Sequence, residues 1–440
     1  MPPSSASMFL LMLCLLAYVA TAIVATRNKK YGYIMVAFCI YHIAFLLLPA
    51  LFHTAKNVFP FYATSYGEEI QVKTAIICLS FTIFFLAGFF FTRPFSKSRF
   101  PNHKLNASGQ NLKIAILIII IALVGVVASY GIPSFMSSRR EFSNANFGGD
   151  ATTGVVIITA SRAASFLALL FMLEFKKSLS STVFYAYISA LGILFVIVNF
   201  PPSLSRYLFF SYILAVLYIY TSPTTKNKIF LFLAFLVGTI TIFPFFNFIS
   251  RGASDSFELD MISYYTTSGD FDGYQSIINV VQFTEDRFFT YGGQIIGALL
   301  IFVPRSIWPE KPFATGQIAA ENMAYQFTNI SSPLIAEMYI DFGYFGITAL
   351  AYLIGMAVRK IDSYSVISKR FGNRAGIILC AIFFSFSLII LRGALIGVAS
   401  TVALELFLAY ILAKFIIIPS KKRSYIKRNL RLATKDIGPR

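Results

Sequence analysis

Charged residues are scarce in this chain. Asp, Glu, Lys and Arg make up 13% of its 440 residues, about half of the roughly 25% that soluble globular domains carry. Hydrophobic residues reach 57%, with 48 Phe and 24 Tyr, and the mean hydropathy is +0.72. This composition excludes a soluble enzyme, a disordered chain and an ordinary nucleic-acid binder. It predicts an all-α, polytopic integral membrane protein.

Cysteine and histidine are too few and too scattered to build a metal centre. The four cysteines lie inside apolar runs without CxxC or zinc-like spacing, so we expect them to be small core residues. These cysteines and the three histidines are Cys14, Cys39, Cys78, Cys380, His42, His53 and His103. We therefore expect no metal and no cofactor.

Long apolar runs predict the membrane topology. A transmembrane helix needs about 20 mostly apolar residues, and the chain has eleven segments of this kind. They are 8–26, 31–53, 72–92, 112–130, 153–174, 182–200, 206–221, 229–249, 333–358, 375–391 and 394–418. No Lys or Arg occurs from Met1 to Ser7, which favours a helix over a signal peptide for the first segment.

The distribution of Lys and Arg predicts the orientation. Alternate connecting segments and the C-terminal tail hold 26 of the 37 basic residues but only three acids. Because basic residues concentrate on the cytoplasmic side, we expect the N-terminus outside and the C-terminus in the cytoplasm. The same distribution explains the net charge of +18 without a nucleic-acid partner.

Four regions follow from this topology. They are a membrane bundle of eight spans in 1–249, a long external loop in 250–332, a bundle of three spans in 333–418 and a basic cytoplasmic tail in 419–440. Within the external loop, Tyr291–Val303 is too short to cross a membrane and is expected to be re-entrant or interfacial. Asp272–Phe283 is expected to form an amphipathic helix on the membrane surface.

Cations on the external side are few, and the rule that places basic residues in the cytoplasm does not explain them. Among them are Arg206, Arg251, Arg287, Arg305, Lys311 and Arg392. A guanidinium group binds phosphate through two parallel hydrogen bonds, so arginines gathered at one membrane face predict a site for a lipid-linked phosphate or pyrophosphate. For any single arginine, anchoring to lipid headgroups or pairing with a loop acid is the alternative.

Other charged positions could contribute to such a site. Arg162 lies inside the fifth span, where a charge is costly; it either pairs with Glu405 of the last span or lines a cavity that reaches toward the substrate. Glu337 and Asp341, at the mouth of the ninth span, are candidates for a general base, as is Glu310. Most of the other external acids are expected to form a solvated face.

The stretch from Phe302 to Pro312, FVPRSIWPEKP, is the most distinctive in the chain. Its prolines interrupt a helix, and Trp308, the single Trp, suits the headgroup depth of a membrane. The motif resembles the Pro-x-x-x-Trp-Pro-x-Lys/Arg-Pro signature of bacterial O-antigen and related repeat-unit polymerases (Wzy type). The Leu-Arg-Gly turn at Leu391–Gly393 and an Arg after a mid-chain loop, here Arg206, are similar to features of the same family.

The resemblance implies an enzyme of the bacterial inner membrane that works at the periplasmic face. Such polymerases join oligosaccharide repeat units carried on undecaprenyl pyrophosphate. They do so by glycosyl transfer, with the pyrophosphate lipid as leaving group and without a metal. Many members are drawn with twelve spans, against eleven here. A chain-length co-polymerase (Wzz type) is the partner that the family suggests.

The resemblance also implies roles for individual residues. The pyrophosphate ligands would be Arg206, Arg251, Arg305 and Arg392, supported by Lys311 and Arg287. The residues that could stack on sugar rings are Tyr264, Tyr265, Tyr274 and Trp308. Glu337 or Asp341 would take the proton of the acceptor hydroxyl. Two alternatives stay open: an O-antigen ligase, which delivers the glycan to a lipid A core, and a lipid-linked oligosaccharide flippase, which transports without chemistry.

Overall fold

Long helices account for most of the fold. The computed structural model describes residues 5–62, 65–95, 105–137, 151–251, 264 and 267–419, with the backbone alone at 105–106, 151–153, 155, 239–251 and 418–419. The helices of seven or more residues are α1 (Ser5–Arg27), α2 (Tyr33–Lys56), α3 (Glu68–Phe91), α4 (Gly109–Tyr130), α5 (Ala151–Glu174), α6 (Ser181–Val198), α7 (Arg206–Tyr220), α8 (Thr225–Arg251), α9 (Gly273–Asp286), α10 (Gly293–Leu299), α11 (Thr315–Asn322), α12 (Leu334–Phe371), α13 (Arg374–Arg392) and α14 (Leu395–Ile416).

Short elements connect these helices. Single helical turns cover Ile132–Phe135, Lys176–Ser178, Pro201–Ser203 and Gly269–Phe271. Two strands of three residues, β1 (Leu105–Ala107) and β2 (Ile417–Pro419), pair antiparallel with Asn106 opposite Ile418. This pairing joins the start of α4 to the end of α14.

Every predicted span coincides with a helix. Within the described ranges, nine helices are long and apolar enough to cross a membrane. The two other predicted spans correspond to α7, a shorter apolar helix, and to α8, whose side chains are described only in part. The chain is thus an all-α polytopic membrane protein, as its composition predicted. The number of crossings stays a prediction.

The centre of the bundle is α2. Of its most apolar stretch, 89% is buried inside the protein, and its middle, Tyr41–Leu47, is a π-helical segment. The ring of His42 stacks on Tyr18 with centroids 4.2 Å apart, and its Nδ1 lies 2.8 Å from the Phe38 carbonyl oxygen. His42 therefore packs as a core residue. All four cysteines are also buried and free, which confirms their expected role in the core.

Two glycines let α3 and α12 approach each other closely. A Cβ atom added at Gly88 would lie 2.1 Å from the Tyr352 carbonyl oxygen, and one added at Gly355 would lie 2.1 Å from the Phe85 carbonyl oxygen. Real side chains do not tolerate such distances, so the crossing requires glycine on both helices. Small residues allow this backbone contact between helices that share a membrane.

Charged side chains from distant helices satisfy several helix ends. Asp362 of α12 accepts hydrogen bonds from the backbone N–H groups of Gly32 and Ile34, at 2.7 and 3.1 Å, and so caps the start of α2. Lys228 of α8 donates to the Ala25 carbonyl at 2.8 Å, near the end of α1. Lys369 of α12 donates to the Thr221 carbonyl at 2.7 Å, just after α7.

These caps bring together helix ends that the Lys and Arg distribution assigns to the cytoplasm. An ion pair between Arg374 and Glu174 belongs to the same group. We refer to this end of the bundle as the basic end. The opposite end carries the described part of the long loop between α8 and α12, and we refer to it as the loop end.

Helix α12 bends where it enters the loop end. Gly343 has non-helical dihedral angles, φ 56° and ψ −139°, and a π-helical segment, Gly346–Leu350, follows it. A straight helix of 38 residues would be about 57 Å long, nearly twice the roughly 30 Å hydrocarbon thickness. The bend directs Leu334–Phe345 away from the rest of α12 and toward the loop segments.

Helix α9, in the described part of the loop between α8 and α12, packs into the bundle. The helix predicted over Asp272–Phe283 exists as α9, but its predicted place on the membrane surface is wrong, because its residues from Gly273 to Val281 are all buried. Its polar side chains find partners inside the protein, which makes burial possible. The predicted re-entrant segment forms α10, seven residues and about 10 Å long, too short to cross a membrane.

The Gly355 contact leads to a stability prediction. Gly355→Ala forces a Cβ atom onto the backbone of α3, and we expect it to lower the free energy of unfolding by about 2 kcal/mol or more. Gly125→Ala is the matched control, since nothing lies within 4 Å of a Cβ atom there. It should raise stability slightly, because alanine restricts the unfolded chain. Thermal melting of the detergent-solubilised protein measures both, and equal melting temperatures would contradict the close approach.

Candidate functional site

The first helical residue of α7, Arg206, forms a two-pronged ion pair with Asp270. Its Nη1 and Nη2 donate to the two carboxylate oxygens of Asp270, each at 2.8 Å. Both side chains are buried, with exposed fractions of 8% and 5%. Tyr264 donates a third hydrogen bond to Asp270 Oδ2 at 2.6 Å. Burial and the adjacent Asp270 raise the pKa of Tyr264, so its hydroxyl remains a donor.

Arg392, at the end of α13, holds the same turn from the other side. Its Nη2 donates to the Gly269 carbonyl at 2.6 Å and to Asp272 Oδ1 at 3.0 Å, and its Nε donates to the Asp270 carbonyl at 3.3 Å. The other carboxylate oxygen of Asp272 accepts from the Ser331 N–H at 2.9 Å. Asp272 is therefore enclosed as well, with an exposed fraction of 1%.

These contacts form a clasp that fastens residues 269–272 to α7 and α13. Arg206 and Arg392, predicted as phosphate ligands, lie close together at the loop end, but carboxylates already neutralise both. At these two positions the arginines therefore pair with loop acids, which is the alternative stated for single arginines. The prediction that the external acids form a solvated face is wrong for Asp270 and Asp272, because both are buried.

The Pro-rich motif forms a closed turn after α10. Arg305 Nη1 donates to the Lys311 carbonyl at 2.5 Å and Nη2 to the Pro312 carbonyl at 3.1 Å. Lys311 Nζ donates to the Ile301 and Val303 carbonyls at 2.6 and 3.0 Å. Each cation of the motif therefore crosses the turn and satisfies backbone oxygen atoms on its far side.

This turn concentrates positive charge. Within the described ranges, neither Arg305 nor Lys311 forms a salt bridge with a carboxylate. Burial lowers the pKa of the Lys311 ammonium, and the neighbouring Arg305 lowers it further. The guanidinium of Arg305 lies 4.2 Å above the ring of Phe313 and is exposed to solvent. The turn thus differs from the clasp, because no carboxylate of the described residues neutralises its two cations.

Glu337 lies in the bent part of α12, against the start of α11. Its Oε2 accepts a hydrogen bond of 2.8 Å from the Thr315 hydroxyl, at the start of α11. The carboxyl group is 2% exposed, and its Oε1 makes no hydrogen bond among the described residues. Ser332 and the backbone of Leu395 face the same group. A buried carboxylate with one free oxygen atom suits a general base.

Asp341 has a different environment. Its Oδ1 accepts from the Thr290 hydroxyl at 2.5 Å and from the Gln294 N–H at 3.0 Å, and its Oδ2 accepts from the Ile295 N–H at 3.0 Å. Asp341 therefore caps the start of α10 and is fully buried. Of these two candidates for the base, Glu337 has an oxygen atom without a hydrogen bond among the described residues, whereas Asp341 holds α10 in position.

Arg162 bonds to the connection that leads into α7. Its Nε donates to the Val198 carbonyl at 3.2 Å and its Nη2 to the Ser203 hydroxyl at 3.3 Å. The four salt bridges formed by the described residues do not include a pair between Arg162 and Glu405. Arg162 thus supports the segment from which Arg206 extends.

The remaining predicted residues are spread more widely. Arg287 is exposed after α9, and Trp308 donates its backbone N–H to the Pro304 carbonyl within the motif turn. Tyr274 is fully buried and its hydroxyl donates to the Gln71 carbonyl at 3.1 Å, so its ring does not face the surface. Arg251 ends α8 with its side chain outside the described residues. Tyr265 also lies outside the described residues.

Comparison with known proteins adds no relative. No protein-family model, curated protein or solved structure matches the chain. The family resemblance therefore depends on the Pro-rich motif, the Leu391–Gly393 turn and Arg206 alone.

Sequence reasoning missed Asp270 and Asp272 as partners of the arginines. The local signal is the segment SGDFDG at 268–273, where small residues surround two acids. The spacing of two places the acids against different arginines, Asp270 against Arg206 and Asp272 against Arg392. Nothing in the sequence marks which of the many loop acids turn inward.

The clasp leads to a second stability prediction. Asp270→Asn keeps the shape of the side chain but leaves Arg206 buried without a counter-charge. We expect the free energy of unfolding to fall by about 3–5 kcal/mol. Glu321→Gln, at an exposed position, is the control and should melt like the wild type. A wild-type melting temperature for Asp270→Asn would show that the ion pair does not stabilise the fold.

Proposed function

We propose that the protein is a polymerase of the bacterial inner membrane with its loop end in the periplasm. It joins oligosaccharide repeat units carried on undecaprenyl pyrophosphate into an O-antigen-like polysaccharide. The observation that carries this proposal is the turn of the Pro-rich motif. There, Arg305 and Lys311 lie side by side, held by backbone carbonyls, and no carboxylate of the described residues pairs with either.

The surroundings of the turn suit an amphiphilic phosphate ester. A guanidinium fork and a compact ammonium group are complementary ways to bind phosphate oxygen atoms. Large apolar side chains next to the two cations are exposed, among them Phe302 at 61% and Ile307 at 75%. A polyprenyl chain can lie along such side chains while the pyrophosphate binds to Arg305 and Lys311.

The chemistry is a glycosyl transfer. A hydroxyl oxygen of the acceptor glycan attacks the anomeric carbon of the donor and forms the new C–O bond. The bond from that carbon to the pyrophosphate oxygen breaks, and the pyrophosphate lipid leaves with the electron pair. Arg305 and Lys311 stabilise the negative charge that develops on it. Glu337 accepts the hydroxyl proton at its free oxygen atom.

The clasp has a supporting role in this proposal. Arg206 and Arg392 hold residues 269–272 in place and thereby position α9 and the segments packed on it. Arg162 supports Arg206 through the Ser203 hydroxyl. The family resemblance also predicts that Arg251 and Arg287 bind the pyrophosphate and that a chain-length co-polymerase is a partner, and both stay predictions.

Replacing Arg305 tests the proposed site. In cells that lack this protein, complementation with Arg305→Ala should leave single-repeat glycan on a gel where the wild type restores the polymer ladder. The loss of a preorganised cation should slow transfer by roughly 10²–10³-fold. Arg305→Lys keeps the charge without the fork and should give a short, weak ladder. Arg370→Ala, at an exposed position of the basic end, is the matched control and should restore full length.

The same gel separates the alternatives. Polymer that accumulates on its lipid carrier without transfer to lipid A core would indicate a ligase. Loss of even the single-repeat product at the surface would indicate a flippase. A full ladder from Arg305→Ala at normal membrane expression would contradict the proposed site.

Glu337→Gln tests the general base. The amide keeps the hydrogen bond from Thr315 but cannot accept a proton, so we expect the polymerisation rate to fall roughly 10²–10⁴-fold. Glu321→Gln should leave the rate unchanged. The assay uses purified protein and a synthetic lipid-pyrophosphate-linked repeat unit, with binding of the substrate measured separately. An unchanged rate, or a loss of binding as large as the loss of rate, would exclude this role.

A further inference from the structure

A surface cavity at the loop end has no role in the mechanism above. Its volume is about 270 Å³, slightly below the roughly 300–1,000 Å³ of pockets that hold drug-sized ligands. The cavity lies between the start of α3, the end of α9 and the end of α11. Its lining residues are Ser65, Tyr66, Gly67, Ile70, Gln282, Glu285, Asp286 and Met323.

Aromatic rings gather beside this cavity. Tyr325, two residues after the lining residue Met323, has its ring 5.2 Å from that of Tyr62 and 5.8 Å from that of Phe61. Phe327 lies 6.0 Å from Phe61. Tyr62 and Phe327 are open to solvent, with exposed fractions of 56% and 46%. Because these aromatic rings pack against one another and two of them are exposed, their exposed faces are available to bind a ligand.

A buried polar network fixes these rings from below. The Tyr66 hydroxyl donates to Asn279 Oδ1 at 2.5 Å. Gln275 Nε2 donates to the Tyr66 hydroxyl at 3.2 Å and to the Tyr325 hydroxyl at 3.1 Å. Gln275 and Asn279 are fully buried in α9. The network connects the cavity wall with the aromatic cluster and holds both in one arrangement.

Two residues of this region have backbone conformations that glycine would adopt more easily. Tyr62 has φ 58° and Ala324 has φ 53°. Such strain persists only where the surroundings enforce it, and it concentrates at ligand sites. At Tyr62 the Gln326 N–H donates to the ring hydroxyl at 3.1 Å, which holds the tyrosine in this position.

The charges of the cavity exclude a phosphate. Glu285 and Asp286 line it, and Lys73 is already paired with Glu285 at 2.5 Å. Asp286 accepts a hydrogen bond of 3.2 Å from the Asn322 amide. The half-buried amide of Gln282 makes no side-chain hydrogen bond among the described residues. The wall thus presents acceptors and one amide to a ligand rich in hydroxyl groups.

We infer that this cavity binds one sugar ring of the glycan that the enzyme extends, an inference that depends on the proposed function. The apolar C–H face of a pyranose packs against the electron-rich face of an aromatic ring, here Tyr62 or Phe327. Its hydroxyl groups bond to Gln282 and Asp286. The anionic lipid end binds elsewhere, at Arg305 and Lys311, so that the two ends of the substrates are recognised by opposite chemistry.

Saturation-transfer NMR on the full-length protein in lipid nanodiscs tests this site. The probes are methyl glycosides of glucose, galactose, mannose, N-acetylglucosamine and rhamnose, each alone. We expect saturable transfer to the ring C–H protons of at least one glycoside. Tyr62→Ala and Gln282→Leu should each weaken its binding at least tenfold. The matched controls Tyr185→Ala and Gln317→Leu, at an exposed tyrosine and a half-buried glutamine elsewhere, should bind like the wild type.

Three outcomes would overturn the inference: no saturable binding of any glycoside, wild-type binding by both variants, or competition by inorganic pyrophosphate. The glycan gel keeps this result separate from the proposed function. If the ladder depends on Arg305 but no sugar binds at the cavity, the polymerase proposal stands and the sugar site is rejected. If Tyr62→Ala abolishes sugar binding but deletion of the protein leaves the ladder intact, the sugar site stands and the polymerase proposal fails.

Discussion

Helix ends buried in a bundle need partners for their free N–H and C=O groups, and this requirement organises the protein. At the basic end, Asp362 caps α2, while Lys228 and Lys369 bind the terminal carbonyls of α1 and α7. At the loop end, Asp341 caps α10. Each of these charged residues lies on a different helix from the one that it caps. In a chain with so few charges, these contacts select which helices are neighbours. The apolar surfaces of the helices resemble one another closely, so they specify much less strongly which helices pack together.

The loop end repeats this principle with whole ion pairs. The pairs of Arg206 with Asp270 and of Arg392 with Asp272 fasten residues 269–272 of the connection between α8 and α12 to the bundle. Burying a charge is tolerable only when its partner is close and its remaining hydrogen bonds are satisfied, and the clasp meets both conditions. The cations of the Pro-rich turn are satisfied differently, by neutral carbonyls. The position of an arginine at a membrane face is therefore a poor guide to its role, whereas the charge of its partners is informative.

The helices could be predicted because a membrane span is a local and continuous signal. The placement of α9 could not, since Gln275 and Asn279 look like the polar side of a surface helix until the tyrosine hydroxyls opposite them are known. The inward turn of Asp270 and Asp272 depends in the same way on arginines far away in the chain. The cavity proposed to bind a sugar combines residues near 66, 282 and 323, and no spacing rule connects them. What the sequence lacks in each case is the identity of the partner across the fold.

The Asp362 cap has a consequence for biosynthesis. The residue that completes the start of α2 lies 330 positions further along the chain. At the usual 5–20 residues per second, the ribosome needs roughly 16–66 s to reach it. Until then α2 stays in the membrane with open N–H groups at its start, and the central helix of the bundle has no final partner. The first half of the protein therefore waits for the last quarter, and membrane insertion and final assembly are separate events in time.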